Sequence, residues 1–259
     1  MSGQTLELEA SFDEIRRVCQ AIKADVVVFN ISALGFGRRA LHSDFKRCLW
    51  NLIIETSREL TVCIPAFTFL SGTSKVFDLR KTKPTLGWLN ERAFEEFSSS
   101  ECKMPVNRTL SCTHSFISIG NKDWPSRDSA NFAWGPRTPW QDFLERTTVW
   151  VELATDLATS MSLVHDCEFR AEVPYREEIV FPVVHISETT RVINYQYFAR
   201  RLSSGLESDF SRLESIGEIQ THNLSQVKSS RLRIFHYADI HGVVMNLLSR
   251  NPYCLVRLN

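Results

Sequence analysis

The run DVVVFNI over residues 25–31 constrains this chain more than any other stretch. Its β-branched and aromatic side chains follow one another almost without polar interruption, the pattern of a strand buried on both faces. GFGRR (35–39) breaks the run. Leu41, Phe45, Leu49 and Ile53 then recur at i, i+4 steps and predict a helix reaching about residue 57. LTVCIPAF (60–67) reads as a second buried strand. Strand, helix and strand with a crossover of this length form a βαβ unit, so the chain starts as an α/β fold.

The same logic extends in both directions. Ser11-Phe12-Asp13-Glu14 has the form of a capping box, and Ile15, Val18, Cys19 and Ile22 follow at helical spacing, which predicts a helix over 12–23. GWLNERAFEEF (87–97) reads as helix and THSFISIG (113–120) as strand. A loop rich in turn residues follows. Thr138-Pro139-Trp140-Gln141 is a second capping box, with proline at the first helical position. TTVWVELA (147–154) predicts a strand, and EIVFPVVHI (178–186) with RVINYQYFA (191–199) predicts an antiparallel pair joined by SETT. A helix from about 237 to 249 closes the pattern. No repeat, low-complexity tract or linker divides the 259 residues, so the reading is one α/β domain, 1–259, on a mixed β-sheet flanked by helices.

Composition narrows the function classes. A formal net charge of zero and the lack of a basic run argue against a nucleic-acid partner. Seven cysteines without C-x-x-C spacing point to reduced thiols in a cytoplasmic protein rather than a disulfide framework. The opening MSGQTLELEASFDEIRR is polar and acidic, unlike a secretory leader, and no apolar run is long enough for a bilayer, so no membrane association is expected.

Three motifs invite chemistry. GFGRRA supplies G-x-G-x-x-A spacing, but Cys63, Ile64 and Pro65 stand where a dinucleotide site needs an acidic residue. A turn letting the helix start close to the sheet is the plainer reading, and a phosphate held by backbone N–H groups with Arg38 and Arg39 is an intermediate one. His165, Cys167 and Glu168 are metal-ligand types, yet on a helix the i+2 residue faces away and no partner motif supports zinc. No G-x-S-x-G elbow exists for a serine nucleophile, and Cys112 and Cys167 read first as buried thiols. What remains in SMSLVHDCE (160–168) is His165 and Glu168 on one helical face, a carboxylate able to orient an imidazole. Spacing alone also fits a structural ion pair.

Several segments, in collinear order over nearly the whole chain, resemble the aminoglycoside 3-N-acetyltransferase family. VVVFNISALGFG (26–37) resembles its first strand and V-H-S-S-L-S-S-L-G loop, with Ser32, Leu34 and Gly35 matching and Val28, Phe29 and Asn30 departing. IPAFTF (64–69) resembles M-P-A/T-F-T/S, and FDLRKTKPTLGWLNERAF (77–94) resembles F-D-x-x-x-T-P-S-x-x-G-x-L-x-E. NRTLSCTHSFISIG (107–120) resembles R-S-x-H-P-T-H-S-x-A-A-x-G, with Ser111-Cys112 replacing His-Pro. FAWGPRTPWQDFLE (132–145) resembles F-G-x-x-S-P-x-x-x-L. SLVHDCEFRAEVPYR (162–176) resembles T-x-x-H-x-x-E…P-Y-R, with Ser162 in place of threonine. Residues 159–161 read Thr-Ser-Met where the family has an acidic or amide pair.

The resemblance implies an α/β sheet between helix layers and transfer of an acetyl group from acetyl-CoA, a co-substrate, to an amine of an amino sugar. It makes His165 the base, Glu168 its orienting carboxylate or a holder of the substrate amine, and Ser162 a hydroxyl near the acetyl group. Asp166 and Cys167 fall off that stripe. Ser32, Leu34 and Gly35 become candidates for contact with CoA, and Thr68, His114 and Ser115 follow them. Enzymes that take polycationic drugs gather acidic residues at the acceptor cleft. Here Asp123, Asp128 and Glu172 form no dense acidic loop, so the expected acceptor is an amino sugar of polysaccharide or natural-product assembly. A homodimer stays open, as does an acyltransferase for longer chains. A second class also stays open, a diverged CoA- or sugar-binding member acting as a partner subunit. Such a relative has no need to keep both His165 and Glu168.

Overall fold

The computed structural model describes residues 3–38, 42–68, 75–99, 104–120, 124–157, 162–226 and 231–258. Helix α1 (Gly3–Ala21) precedes β1 (Val26–Ile31), and α2 (Ser43–Ser57) leads to β2 (Thr61–Pro65). β3 (Val76–Asp78), α3 (Trp88–Ser98), β4 (Val106–Arg108) and β5 (Phe116–Ile119) follow. Next come α4 (Pro139–Glu145), β6 (Thr148–Leu153), α5 (Leu163–Arg170) and the long strands β7 (Arg176–Ile186) and β8 (Thr190–Arg200). The chain closes with β9 (Leu206–Ser208), α6 (Gly217–Thr221), β10 (Leu232–His236), α7 (Tyr237–Arg250) and β11 (Val256–Leu258).

The main sheet runs β10-β6-β1-β2-β5-β4 and is mixed, as expected. β1 is parallel to both β2 and β6, while β10, β5 and β4 pair antiparallel with their neighbours. β7 and β8 pair antiparallel along their whole length, with β3 parallel to β7. The two-faced burial read from DVVVFNI is met literally. Val26 and Val28 enter one core with α4, α5 and α7, and Val27 and Phe29 enter the other with α1, α2 and α3.

Two capping predictions need correction. Ser11 is not an N-cap but lies inside α1, where its hydroxyl donates to the Glu7 carbonyl at 2.8 Å, the back-bond of a mid-helix serine. The buried stripe reaches back to Leu8, so apolar packing carries the helix past the capping motif. Thr138 does precede Pro139 at the start of α4, but its hydroxyl donates to Gly135 O at 2.7 Å instead of accepting a cap bond.

The topology sets a switch point, where open α/β sheets form a crevice. β1 and β6 are adjacent and parallel, but the helix after β1 (α2) packs on one face and the helix after β6 (α5) on the other. The loops beyond their carboxyl ends therefore diverge, and ligands of open α/β sheets bind at such a switch point.

Candidate active site

The loop after β1 lies directly on the end of β6. Ser32 N–H donates to Leu153 O at 3.1 Å, and a short 3-10 turn over Ala33–Phe36 brings Gly35 N–H to Ser32 O at 3.1 Å. A Cβ on Gly35 would stand 1.8 Å from Ala154 O, so only glycine permits this approach. Leu34 sits in the same turn. GFG does not open a helix as a dinucleotide fingerprint requires, because α2 begins only at Ser43. Arg38 is exposed, while Arg39 lies outside the described residues.

On the other lip of the crevice, Ser162 occupies the N-cap position of α5 with helical angles and makes no cap bond. Its hydroxyl oxygen is buried and has no hydrogen-bond partner among the described residues. One turn on, the His165 side chain is 26% exposed and Glu168 fully buried, with Nδ1 of the ring 2.7 Å from Glu168 Oε2. Tyr175 O–H donates to Glu168 Oε1 at 2.8 Å, and Arg176 Nε lies 2.8 Å from Oε2. Burial pushes the Glu168 carboxyl up, but the His165 hydrogen bond, the nearby His165 and Arg176 charges and the Tyr175 hydroxyl outweigh it and hold it below the ordinary carboxylate range.

That geometry fixes a tautomer. An ionised carboxylate only accepts, so Nδ1 carries a proton, and in the neutral ring Nε2 is the nitrogen with the lone pair. Arg176 Nη2 stands 2.9 Å from Nδ1, but a guanidinium only donates and finds no lone pair there. It is held by Glu168 and by Phe198 O, which accepts from Nη1 at 3.3 Å.

The strands β2 and β5 bring a third group to this end of the sheet. Ala66 N–H donates to Ser115 O and Thr68 N–H to Thr113 O, at 2.8 and 2.9 Å. Thr68 Oγ1 donates to Cys112 O at 2.5 Å. Ser115 Oγ donates to Ala66 O at 2.8 Å and accepts from the buried Arg108 Nε at 3.2 Å. Both hydroxyls are thus committed to the scaffold. His114 reaches the site through rings: Phe67 at 4.7 Å on one side, and Trp134 at 4.1 Å, which itself lies 5.5 Å from His165. Its Nδ1 is 2.7 Å from Thr113 Oγ1, and burial, with help from the nearby His165 and Arg176 charges, drives its titration well below the usual histidine range. It is a neutral wall residue.

Other candidates fall into supporting places. Burial pushes the Cys112 thiol up to about 12 and Cys167 well above its ordinary value, so neither is poised as a nucleophile. Asp166 points off the stripe, as the helical spacing requires, but it is not idle. It accepts from Gly135 N–H at 2.8 Å and Arg170 Nε at 2.6 Å, with His241 Nε2 at 3.3 Å. Asp128 accepts from Leu110 N–H, and Glu172 is exposed on the turn after α5. Asp123 and the Thr-Ser-Met segment lie outside the described residues. Among the described residues no group of three or more His, Cys, Asp or Glu could hold a metal ion, and no helix is long and apolar enough to cross a membrane.

Trp134, Tyr175 and Arg176 were not among the sequence candidates. Tyr175 and Arg176 stood in the P-Y-R segment read as motif but given no role. With Gly135 and Thr138-Pro139 on the G and S-P of F-G-x-x-S-P, Trp134 stands at the motif's aromatic position, to which the sequence reading gave no role.

The chain has the fold of the aminoglycoside 3-N-acetyltransferases. YokD from Bacillus subtilis matches it with a TM-score of 0.65 at 16% identity, over 93% of this chain and 99% of that one. The apoenzyme of aminoglycoside acetyltransferase AAC(3)-IVa matches at 0.64 and 14% identity, over 95% and 89%. AAC-IIIb in its binary complex with CoASH matches at 0.64 and 14% identity, over 88% and 90%. No family sequence model and no curated protein sequence matches the chain.

Proposed function

We propose that this chain is an acetyl-CoA-dependent N-acetyltransferase acting on an amine of an amino sugar or a related small molecule. The observation that carries the reading is the partly exposed His165 ring, its Nδ1 tied to a fully buried carboxylate, at the crevice of a fold shared with acetyltransferases. A structural neighbour, AAC-IIIb, binds CoASH.

The crevice residues fit a polar thioester co-substrate. Ser162 Oγ and Asn30 Nδ2, the latter near the carboxyl end of β1, are both buried without partners among the described residues, and such groups are costly unless a ligand completes them. The Ser32–Gly35 turn offers the loop the resemblance assigns to CoA. The site's own residues then divide the work. His165 Nε2 takes the proton of the attacking amine, since a protonated amine has no lone pair to offer. Glu168 keeps the ring in the required tautomer and balances the charge that the ring gains. Tyr175 and Arg176 hold Glu168. Ser162 Oγ–H is available to the thioester carbonyl or the sulfur. The acceptor nitrogen bonds to the acyl carbon as the C–S bond breaks, its proton passing through His165 to the departing thiolate.

Among the described residues, the carboxylates of α5 and of the segment before Phe210 are engaged: Glu168 as above, Asp166 by Gly135, Arg170 and His241, and Asp209 by Arg212 at 3.3 Å. A polycation would find little to neutralise it, which favours an amino sugar with few amines. The test is a thermal-shift screen with acyl-CoAs of graded chain length, followed by thiol release with a panel of amino sugars. Acetyl-CoA raises Tm in proportion to its occupancy, and one or more amino sugars release thiol. CoA protection without thiol release from any amine would instead favour a binding subunit.

A further inference from the structure

We infer that Trp134 is a catalytic residue of this site, its indole N–H donating to the carbonyl oxygen of the transferred acyl group. The inference rests on the acetyltransferase reading and deepens it.

Neighbouring indoles set the contrast. Trp134, Trp140 and Trp150 form a chain of rings at 5.2 and 6.3 Å. Trp140 Nε1 donates to Ala133 O at 3.1 Å and Trp150 Nε1 to Glu152 Oε1 at 2.5 Å. Trp134 is only 4% exposed, yet its Nε1 has no partner among the described residues. Trp124 shares that feature, but it packs on Phe116 and Phe143 in the core. Trp134 alone of the two touches the rings of His114 and His165.

The indole is also held in place on both sides. Ala133 N–H donates to Gln196 O at 3.1 Å, and Gly135 N–H to the buried Asp166 at 2.8 Å. Gly135 has φ +90°, and a Cβ there would meet Phe169 at 2.6 Å. A side chain fixed this firmly, with a buried uncommitted donor beside the base, is preorganised for an oxygen that arrives with substrate. Two neighbouring acceptors are already engaged: His114 Nδ1 faces Thr113, and both Glu168 oxygens have partners.

Chemistry names the oxygen. When the amine that His165 deprotonates attacks, the carbon–nitrogen bond forms and the carbonyl π pair moves to oxygen. That pair returns as the carbon–sulfur bond breaks and the electrons leave on sulfur. The carbonyl oxygen lies within a few ångströms of the attacking nitrogen, hence within reach of groups that border His165. Trp134 Nε1–H and Ser162 Oγ–H, from the residue three before His165, are donors without partners among the described residues.

The test compares wild type with Trp134→Phe, which keeps a ring in the wall and removes the N–H. Expected are an unchanged CoA-induced Tm shift, a kcat lower by about 100-fold and an acceptor KM within about twofold, the split for a donor acting on developing charge. A second readout needs no turnover. With acetyl-CoA labelled at the carbonyl carbon, the bound thioester stretch should lie at lower frequency in wild type than in Trp134→Phe. Equal frequencies, or an unchanged kcat, overturn the assignment, as does a rise in acceptor KM alone. Should Trp134→Phe not fold, a wild-type stretch no lower than that of acetyl-CoA in an apolar solvent overturns it. Absence of any acetyl-CoA-induced Tm shift in wild type would instead count against the acetyltransferase reading itself.

Discussion

Two sides of the same sheet end treat their polar side chains in opposite ways. On the β2/β5 side, the Thr68 and Ser115 hydroxyls donate inward, to Cys112 O and Ala66 O. On the β6/α5 side, a partly exposed imidazole stands beside hydroxyl and indole groups that lack partners among the described residues. A scaffold satisfies its polar atoms internally, because each buried group left without a partner costs about 1–3 kcal/mol. A binding site leaves some for the ligand. The contrast supports the division of labour proposed above, with the chemistry on the α5 side and the Thr68 and Ser115 hydroxyls serving the scaffold rather than CoA.

Three substitutions press on this contrast. The largest effect belongs to Glu168→Gln, which leaves Arg176 buried without its counter-charge and should cost about 3–5 kcal/mol. Its pH signature follows from the sign of the shift. The folded carboxyl titrates below its unfolded value, so its stabilisation is present above the unfolded value, near pH 4, and disappears as pH falls through the folded one. Denaturant melts from pH 6 down to pH 3 should therefore fall more steeply for wild type than for the variant; parallel curves would refute the pairing.

Next comes Gly35→Ala. Its Cβ would stand 1.8 Å from Ala154 O, and displacing the β1 loop from β6 should cost about 3 kcal/mol, a Tm loss of roughly 6–12 °C for a chain this size. Acetyl-CoA protection should weaken in the same variant, and full protection would remove that loop from the crevice. Ser115→Ala is the mildest. It strips a bond from buried Arg108 and should lower stability by about 1–2 kcal/mol with acetyl-CoA protection intact. Loss of protection there would return Ser115 to the ligand site.

How much of this could be read from the sequence depends on distance along the chain. The Ser162, His165, Glu168 stripe was legible because helical periodicity ties i to i+3 without any tertiary knowledge. The βαβ start was legible because two-faced burial leaves a continuous apolar run. The support of Glu168 by Tyr175 and Arg176 needs the turn that reverses the chain from α5 into β7, which spacing does not specify. Trp134 is contributed by a loop 31 residues from His165, and its placement depends on Gly135 N–H finding Asp166, a long-range bond. Ser11-Phe12-Asp13-Glu14 failed as a helix start because Leu8 packs in the same core as Phe12 and Ile15 and extends the helix through it.

The central claim is that His165 acts as the base for acyl transfer and is not a structural histidine. It is tested most directly by His165→Ala, with acetyl-CoA-induced Tm shift and amino-sugar-dependent thiol release measured on the same preparation. The account predicts a Tm shift close to that of wild type and thiol release lower by about 10²–10⁴-fold. Thiol release within a few fold of wild type, at equal acetyl-CoA protection, would contradict it.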